Sequence, residues 1–558
     1  MKRRRMRKIR IGIFVDTAYI PMWAYMMLGR IKAGKYASME LIIQTDLLET
    51  EASKSSADWR RLPSRIVRNV LRSLETWLMD RVKSVPDAFE PKELKKLLSD
   101  VPVVEVSPIR TTLSDHFSDK DIDRIKPFDI NVLVYLGIRP LRGKILELPK
   151  YGVWSYHHGD KRVNRGGPPG FWETMQGWPE TGTDLQILSD DADNCRILYS
   201  SWSCTVGASI SQNKNNIYWK SLSFLPRKLE ELYLSGEEAF FRKLQEENAH
   251  PRFYCNNSFA NPTNAELSKL LLRKLFEKIS SKIRNTFYFD QWILMFDIRS
   301  GMSSSFSRFQ KIIPPKDRFW ADPHLLYKDA KYYVFFEEYL YQLGKGHISL
   351  IVMDAEGNYE NPVVVLHKPY HLSYPFVFEW QEELYVMPET HANKTIEIYR
   401  CVKFPLVWEF EKNIMEDVSA VDATLFQHQD KWWLFVNIAE NEGASLCDEL
   451  FLFHSESPLS SEWIPHPRNP LISDIKKSRP AGRIFERNGR IYRPSQIDSP
   501  HYGYGTNLNE IIRLTETEYE EKPVASIEPK WDKNITGAHT FDYGHGLTLI
   551  DARLRRRK

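Results

Sequence analysis

The 558-residue sequence has little cysteine and no long apolar run. Its five cysteines are scattered without a CxxC pair, which argues against a zinc ribbon and suits a reducing cytosol. No segment reaches the roughly 18 consecutive apolar residues that a membrane-spanning helix needs. The basic start leads into a short apolar run at 9–15 that Asp16 and Pro21 interrupt, so we interpret this run as a buried strand rather than a signal peptide. These absences predict a cytoplasmic protein without a transmembrane segment.

The body of the chain also lacks excess positive charge. The formal net charge is +4, but twelve of the 77 Lys and Arg residues lie in two terminal runs, 2–10 and 553–558. The remaining 65 basic residues stand against 73 acidic ones. A nucleic-acid groove needs basic charge on the folded surface, so we expect no nucleic-acid partner. We interpret the basic ends as solvated tails and leave peripheral contact with an anionic membrane open.

Strands and helices alternate through the first third of the chain. Apolar strands are predicted at 9–16, 39–45, 101–107 and 130–137, with a helix at 20–34. Such strands separated by helices predict an α/β domain with a parallel, doubly wound sheet. No GxGxxG motif follows the first strand, so a bound dinucleotide has no support.

Two amphipathic helices are predicted outside this pattern, a basic one at 64–84 and another at 262–285. We expect the first to pack onto its own domain, with a membrane or partner surface as the alternative. The second is a natural connector, because the sequence after it has short strands rich in aromatic residues and almost no helical periodicity. We therefore divide the chain into an α/β domain at 1–225, a helical connector at 226–288 and a β-rich domain at 289–558.

The β-rich domain contains a weak internal repeat. Five units share a small or polar motif, an apolar strand, a polar turn and a second apolar strand; they begin FWADP, LSYP, AVDA, SRPA and TGAH. Their spacing of about 50 to 60 residues allows one four-stranded blade each, which predicts a five-bladed β-propeller. Because the first strand of each blade lines the central channel, five motif residues are expected to converge there. They are Asp322, Tyr374, Asp422, Arg479 and His539. The aromatic pairs Phe335-Phe336 and Trp432-Trp433 are predicted to form the core between blades.

One segment of the first domain carries a chemical motif. GVWSYHHGDKRVNRGGPPGFWE, at 152–173, places polar side chains at the end of a strand, and TGTDLQIL follows as another strand. The arrangement resembles the formyltransferase family that includes methionyl-tRNA formyltransferase, glycinamide ribonucleotide transformylase and the sugar N-formyltransferases. That family has Asn-x-His at a strand end, an Arg-Gly turn, a Thr-Gly-x-Thr strand and an Asp in the loop beyond. The resemblance covers about residues 9–203 and implies a Rossmann-like formyltransferase domain.

The resemblance assigns the reaction to three residues. It implies that N10-formyltetrahydrofolate donates a formyl group to an amine, with His157 in the family's His position and Asp193 in that of the Asp. Attack by an amine needs a base and a donor for the oxyanion, so His157 is the expected base and Asp193 its orienting partner. The family's Asn is Ser155 here, a shorter donor, and loss of an oxyanion donor costs about 10²–10³ in rate.

The remaining motif residues are expected to bind the cofactor. By position, Arg165 and Gly166 match the family's Arg-Gly turn, and Thr181 and Gly182 match its Thr-Gly. His158 has no counterpart in the motif and is interpreted as a loop residue.

A metal site in this segment is not expected. Zinc bound by His157, His158 and Asp160 would need adjacent ligands that point to opposite sides of an extended chain.

The propeller half has a resemblance of its own. RFWADP at 318–323, followed by YYVFFEE, is similar to the N-terminal propeller of plant glucosamine inositolphosphorylceramide transferases. It is more distantly similar to arabinanase-like glycoside hydrolases, in which the Asp of Ala-Asp-Pro is a general base. This implies a catalytic Asp322, and hydrolysis needs a second carboxyl group, for which Glu338, Glu389 and Asp422 are candidates.

Other features of the expected channel favour ligand binding as much as catalysis. Tyr374 stands where those hydrolases often have a further acidic residue, and Arg479 and His539 suit an anionic or sugar ligand.

The two resemblances leave three functions open. The leading hypothesis is formyl transfer from N10-formyltetrahydrofolate to an amino sugar, nucleotide sugar or glycan amine in surface polysaccharide or glycolipid biosynthesis, with the propeller binding the glycan. The second places a glycosidase or glycosyl-transferring site in the propeller channel. The third is a non-catalytic glycan-binding protein with a degenerate formyltransferase domain. The sequence does not indicate the oligomeric state.

Overall fold

The computed structural model describes residues 7–45, 86–111, 114–163, 167–191, 194–250 and 262–558. The chain divides into two compact units, Met1–Phe276 with Asn441–Ala444, and Glu277–Glu440 with Ser445–Lys558. The basic helix predicted at 64–84 lies outside the described residues. Within them, no helix is both long enough and apolar enough to cross a bilayer.

The first unit contains eleven strands in its described residues. They are β1 (Ile9–Val15), β2 (Tyr19–Pro21), β3 (Ala37–Thr45), β4 (Pro91–Glu93), β5 (Val103–Val106), β6 (Ile109–Arg110), β7 (Asp115–His116), β8 (Val132–Tyr135), β9 (Val153–His157), β10 (Glu180–Ile187) and β11 (Arg196–Cys204). The described helices are α1 (Met22–Ala33), α2 (Leu94–Leu97), α3 (Asp119–Ile125), α4 (Phe171–Gln176), α5 (Ile210–Ser221), α6 (Phe224–Ser235), α7 (Glu237–Glu247) and α8 (Asn264–Phe287), the last of which continues into the second unit.

Seven of these strands form one sheet in the order β11-β10-β9-β8-β1-β3-β5. The strands from β9 to β5 are parallel, and β10 and β11 are antiparallel. Alternate residues of β1 enter different cores: Ile11 and Ile13 pack with α1 and α6, whereas Phe14 packs with α3 on the other face. Both faces are therefore covered by helices, as the continuous apolar strands predicted.

The segment that we interpreted as a connector contributes to this unit. Leu229 and Leu232 of α6 and Phe240 and Leu244 of α7 are buried in the core that also contains β1 and α1. Each such side chain removed from water stabilises the fold by about 1.5–3 kcal/mol. The helices α6 and α7 are therefore part of the first unit's packing.

The second unit is built from 21 strands. They are β12 (Tyr288–Ile298), β13 (Gln310–Ile312), β14 (Arg318–Lys328), β15 (Lys331–Leu340), β16 (Lys345–Met353), β17 (Val363–Leu366), β18 (Ser373–Trp380), β19 (Glu383–Thr390), β20 (Thr395–Lys403), β21 (Val407–Glu416), β22 (Ala420–His428), β23 (Lys431–Ile438), β24 (Glu449–Ser455), β25 (Ile464–Pro465), β26 (Ile472–Ser473), β27 (Phe485–Arg487), β28 (Arg490–Ile497), β29 (Gly505–Leu514), β30 (Tyr519–Ile527), β31 (Phe541–Gly544) and β32 (Leu547–Arg557).

These strands form five antiparallel sheets, and the second unit is a five-bladed β-propeller. The blades are β14–β17, β18–β21, β22–β25 with β26 beside β24, β27–β30, and a last blade in the order β13-β12-β32-β31. Phe335 and Phe336 lie in the cores on opposite sides of the first blade, and Trp432 and Trp433 do so in the third. The predicted blade count and the predicted inter-blade core are both confirmed.

The last blade joins the two ends of the propeller sequence. Strand β32 pairs with β12 along eleven residues, from Leu547 to Arg557. Within it, Arg555 Nε lies 3.0 Å from Asp290 Oδ1, and the Arg553 guanidinium lies 5.8 Å from the centre of the Trp292 ring. The interpretation of the C-terminal basic run as a solvated tail is therefore wrong, because these arginines belong to a strand that closes the propeller.

Candidate functional sites

In the first unit, β9 brings two predicted residues to the carboxyl end of the sheet. Ser155 and His157 share one face, and Tyr156 between them points into the opposite core. Ser155 Oγ is buried and donates a hydrogen bond to the carbonyl oxygen of Tyr135, 3.4 Å away. His157 is half-buried and stands directly opposite Asp184 of β10. We call Ser155, His157 and Asp184 the strand-end group.

Asp184 is the member of this group that the sequence analysis did not single out. It is buried and accepts a hydrogen bond from Ser200 Oγ at 2.6 Å. Side chains directly opposite in an antiparallel pair have Cβ atoms about 4.5–5.5 Å apart, so Asp184 is positioned to orient His157. Asp184 is the last residue of the TGTD sequence at 181–184, which was visible in the sequence. Only the register of β9 against β10 shows that its partner is His157.

Three of the predicted site residues of this unit lie outside the described residues: Arg165, Gly166 and Asp193. The other two have packing roles. Thr181 Oγ1 lies 2.9 Å from Thr205 Oγ1 and accepts a hydrogen bond from Asn213 Nδ2 at 3.0 Å. A Cβ atom at Gly182 would lie 2.8 Å from the Asp160 Cα atom, so Gly182 lets the loop after β9 cross β10 closely.

His158 and His157 have different surroundings. The His158 ring is partly buried and stacks on Tyr218 at 3.6 Å between centroids, with Tyr156 and Trp23 also in contact. Burial lowers the pKa of His158 well below its usual range, so the ring is neutral. His158 therefore acts as an aromatic core residue.

In the propeller, the innermost strands of three successive blades share one local distortion. Asp322, Tyr374 and Asp422 have φ angles of 52°, 42° and 52°, in the left-handed region that non-glycine residues rarely adopt. Each lies where the strand pairing shifts register, which identifies a β-bulge at the same place in each blade. Such bulges redirect side chains and are typical of functional sites.

The first buried cluster on the propeller axis joins Asp322 with His539. The distance from His539 Nε2 to Asp322 Oδ1 is 3.5 Å, and that from His539 Nδ1 to Asp551 Oδ2 is 2.7 Å. Thr540 Oγ1 donates to Asp322 Oδ1 at 2.8 Å. Burial alone would lower the pKa of His539, but Asp551 and Asp322 outweigh it and raise the pKa to about 9. The imidazolium is thus the counter-ion of two buried carboxyl groups.

The second cluster joins Asp422 with Arg479. Arg479 Nε and Nη2 donate to the two Asp422 oxygens at 2.5 and 3.2 Å, and Gln496 Nε2 donates to Oδ2 at 2.7 Å. Glu389 Oε2 lies 3.8 Å from Arg479 Nη2 and has no hydrogen-bond partner among the described residues. Burial, together with the neighbouring Asp422, raises the pKa of Glu389 well above its usual range.

Glu338 does not reach the axis, and Glu337 takes its place. Glu338 accepts hydrogen bonds from Arg318, Trp320, His347 and Ser349 on the other side of β15. Burial opposes these bonds, yet they lower its pKa to about 2. Successive residues of a strand point to opposite faces, so the sequence pair Glu-Glu was ambiguous. Burial and the nearby Asp322 and Glu389 carboxyl groups raise the pKa of Glu337 well above its usual range.

The structure thus brings six side chains together, which we call the axial group: Asp322, Glu337, Glu389, Asp422, Arg479 and His539. Tyr374 is buried beside them, where its hydroxyl contacts Thr424 Oγ1 at 2.8 Å and accepts from Gly482 N at 2.7 Å.

Aromatic rings line one side of the axial group. The partly exposed Tyr502 lies 5.1 Å from the Arg479 guanidinium and 5.4 Å from the His539 ring, and Trp292 stacks on His539 at 4.2 Å. Asp498 lies nearby, and burial raises its pKa to about 6.

Asp322, His539 and Asp551 also have the composition of a metal site. One potential ligand atom from each lies within 4.8 Å of the others. Without a metal, the protonated His539 neutralises the two carboxyl groups as an internal ion pair.

Residues 310–545 match the profile of a family described as the N-terminal part of glucosamine inositolphosphorylceramide transferase 1. The chain is 37% identical over 209 residues to glucosamine inositolphosphorylceramide transferase 1 from Oryza sativa subsp. japonica, and 33% identical over 246 residues to that from Arabidopsis thaliana. These matches cover 37% and 42% of this chain, but only 28% and 32% of the two relatives. The chain thus spans about a third of the length of these plant proteins.

A shorter similarity involves a formyltransferase. The chain is 29% identical over 110 residues to methionyl-tRNA formyltransferase from Prochlorococcus marinus, which is 19% of this chain and 30% of that protein. Among solved structures, the Zobellia galactanivorans family 117 glycoside hydrolase Zg3597 matches with a TM-score of 0.31 at 10% identity, over 47% of this chain and 90% of that one. Glycinamide ribonucleotide transformylase 1 from Symbiobacterium toebii matches with a TM-score of 0.26 at 11% identity, over 41% and 89%. Both scores are low, and neither likeness carries an argument.

Proposed function

We propose that this protein is a transferase that acts on a glycan or glycolipid carrying an amino sugar, and that the axial group of the propeller binds this sugar. The named plant relatives, which the propeller half resembles, support a glycolipid-modifying transferase. Because the chain spans only part of those relatives, we infer the ligand from the residues of the axial group.

The observation that carries the proposal is an excess of carboxyl groups over cations on the axis. Asp422 is neutralised by Arg479, and Asp322 and Asp551 share His539. Glu337 and Glu389 have only the longer contacts with His371 Nε2, at 3.5 Å, and with Arg479 Nη2, at 3.8 Å. Burial raises the pKa of both, and that of Asp498. A bound ammonium group would supply the missing cation and pair with the buried Glu389 Oε2.

The aromatic rings beside the axial group fit the rest of such a ligand. Trp292 lies against His539, and the partly exposed Tyr502 lies against Arg479 and His539. Small-molecule sites typically combine aromatic walls with a few oriented polar groups. A pyranose with one amino group has both an apolar ring face and a cationic donor.

Calorimetry on the full chain tests this assignment with D-glucosamine, N-acetylglucosamine and glucose at neutral pH. We expect D-glucosamine to bind at least about tenfold more tightly than the two neutral sugars, because only it carries a cation for Glu389. The Glu389→Gln variant should lose this preference, whereas Glu409→Gln, an exposed glutamate of the same unit, should keep it. Equal binding of all three sugars, or a preference that survives Glu389→Gln, would contradict the proposal.

Formyl transfer is a second candidate, for the first unit. It is favoured by the identity with methionyl-tRNA formyltransferase and by His157, which stands at the carboxyl end of β9 opposite Asp184. The fit to N10-formyltetrahydrofolate is incomplete among the described residues, because Ser155 Oγ donates to the Tyr135 carbonyl instead of pointing to a substrate. The strand-end group thus offers a base but not an oxyanion donor, and we derive no transfer step.

Incubation with N10-formyltetrahydrofolate and amines of increasing size, from D-glucosamine to nucleotide-linked and glycan-linked amino sugars, tests this second candidate. His157→Ala should lower the rate of formyl-amide formation by about 10²–10⁴, as expected for loss of a general base. Lys35→Ala, an exposed change before the amino end of β3, at the other edge of the sheet, is the control. No product from any amine, or full activity of His157→Ala, would exclude it and leave the sugar-binding proposal standing.

Hydrolysis in the propeller channel, the alternative expected from the sequence, keeps one of its three candidate acids. Asp422 accepts hydrogen bonds on both oxygens from Arg479 and Gln496, and Glu338 is directed away from the axis, which leaves Glu389. Sugar release from a panel of chromogenic glycosides, lost in Asp322→Asn, would favour hydrolysis over our proposal.

A further inference from the structure

Helix α8 is held to the first unit along one face of its N-terminal half. Leu267, Leu270 and Leu271 pack against Phe171, Trp172 and Met175. A capping box starts the helix: Thr263 Oγ1 accepts from Glu266 N at 3.3 Å, and Glu266 Oε2 accepts from Thr263 N at 2.9 Å.

The opposite face of α8 is apolar and exposed. Six large side chains recur at helical spacing: Leu272 (67% exposed), Leu275 (36%), Phe276 (73%), Ile279 (46%), Ile283 (57%) and Phe287 (62%). At 3.6 residues per turn they cover about a third of the helix circumference, over a length of about 22 Å. A contiguous apolar stripe of this kind is typical of an interaction surface.

The charges beside this stripe indicate what binds it. Residues 272–287 contain five cations and one acid, Glu277. Two of the cations, Arg273 and Lys274, donate to the Gln176 and Gly207 carbonyl oxygens of the first unit. At 100° per residue, Lys282 and Arg284 lie along opposite edges of the stripe. A second copy of the helix would bring like charges together, which destabilises helix pairs. An anionic lipid surface would instead neutralise them while its acyl chains accept the apolar side chains.

We propose that this face of α8 lies in the interface of an anionic lipid bilayer, parallel to the membrane plane. Phe276, Ile279 and Ile283 enter the acyl boundary, and the flanking Lys282 and Arg284 stay at the headgroups. The proposal rests on the helix alone and does not require the axial group to bind a sugar.

Co-sedimentation of the full chain with vesicles tests the proposal. Wild type should bind vesicles that contain a third phosphatidylglycerol in phosphatidylcholine, and should bind pure phosphatidylcholine at least about tenfold more weakly. The double variant Phe276→Ser/Ile279→Ser should weaken binding to the anionic vesicles about a hundredfold, because two buried apolar side chains are lost. Lys282→Glu/Arg284→Glu should weaken it at least about thirtyfold and remove its salt dependence.

Matched controls separate the helix from the rest of the surface. Leu343→Ser/Ile464→Ser changes two exposed apolar residues of the propeller, and Lys316→Glu changes an exposed lysine there. Both should bind like wild type. Absence of binding to anionic vesicles, or equal binding by the helix variants, would overturn the proposal. So would a wild-type dimer, measured by light scattering, that becomes a monomer in Phe276→Ser/Ile279→Ser, because the stripe would then be occupied by a second copy.

Discussion

The strand-end group and the axial group use similar side chains in different surroundings. At the end of β9, His157 is half-buried, and the loop after it is held by the Arg162–Asp160 pair, whose arginine side chain is 57% exposed. On the propeller axis, the side chains of Arg479 and Asp422 are 11% and 2% exposed. Ion pairs that water can reach contribute little to stability, whereas a buried charge is strongly destabilising when its partner of opposite charge is removed. A single substitution in the axial group should therefore lower the free energy of unfolding strongly, and one in the loop after β9 only weakly.

The largest effect is expected from Arg479→Met. Removing the guanidinium leaves Asp422 buried without its cation, next to Glu389, so the free energy of unfolding of the propeller should fall by about 3–5 kcal/mol. Urea denaturation followed by hydrogen exchange of propeller peptides measures this loss. The double variant Arg479→Met/Asp422→Asn should recover part of it. A loss below about 1 kcal/mol would show that the axial charges are solvated and that the contrast with Arg162 does not hold.

His539 gives the axial group a specific dependence on pH. Its pKa is raised from 6.5 to about 9 in the folded state, so the folded state holds this proton more tightly than the unfolded state. The stability that it contributes is fully present below pH 6.5 and is lost as the pH rises to 9. The difference in free energy of unfolding between wild type and His539→Asn should therefore shrink across this range. A difference that stays constant from pH 6 to 9 would contradict the ion pairs with Asp551 and Asp322.

Each unit contains a tyrosine whose hydroxyl accepts a hydrogen bond from a backbone N–H group, the partly buried Tyr156 and the buried Tyr374. Tyr156 OH donates to the Ser221 carbonyl at 2.9 Å and accepts from Leu225 N at 3.2 Å. Tyr374 OH accepts from Gly482 N at 2.7 Å and contacts Thr424 Oγ1. Replacing either with Phe leaves a backbone N–H without this partner, so each unit should lose about 1–3 kcal/mol. Urea denaturation, monitored separately by hydrogen exchange in each unit, measures both. If one unit loses much less free energy of unfolding than the other, water satisfies the backbone N–H group in that unit after the replacement.

Period and spacing were sufficient to predict most of the fold. The apolar strands around 9–16 and 130–137 needed only their continuous hydrophobicity, and the five blades needed only the recurrence of one unit. The pairing of the C-terminal arginines could not be predicted in this way. Their partners on β12 precede them by about 265 residues, and no local pattern shows that the last strand of the propeller pairs with its first.

The sites were only partly predictable, for a geometric reason. Motif position placed Asp322, Asp422 and His539 on the axis because each follows the same point of its repeat unit. It failed to distinguish Glu337 from Glu338, since the bulge at Asp322 decides which residue of the neighbouring strand faces inward. Asp184 was missed because its relation to His157 arises from strand register rather than from spacing along the chain.

The smallest effect is expected from Arg162→Ala in the loop after β9. Arg162 donates to both oxygens of Asp160 and stacks over the Trp202 ring at 4.8 Å, but much of its side chain is in water. Asp160 keeps a second donor, Trp202 Nε1 at 3.1 Å, so the loop retains an anchor. The free energy of unfolding of the first unit should fall by no more than about 1 kcal/mol, and less at high salt. Gly182→Ala provides the contrast in the same place, because its Cβ atom would lie 2.8 Å from Asp160 Cα and 3.0 Å from Asp160 N, so backbone would have to shift. If Arg162→Ala destabilises this unit as much as Arg479→Met destabilises the propeller, the loop is fixed by charge rather than by the close approach at Gly182.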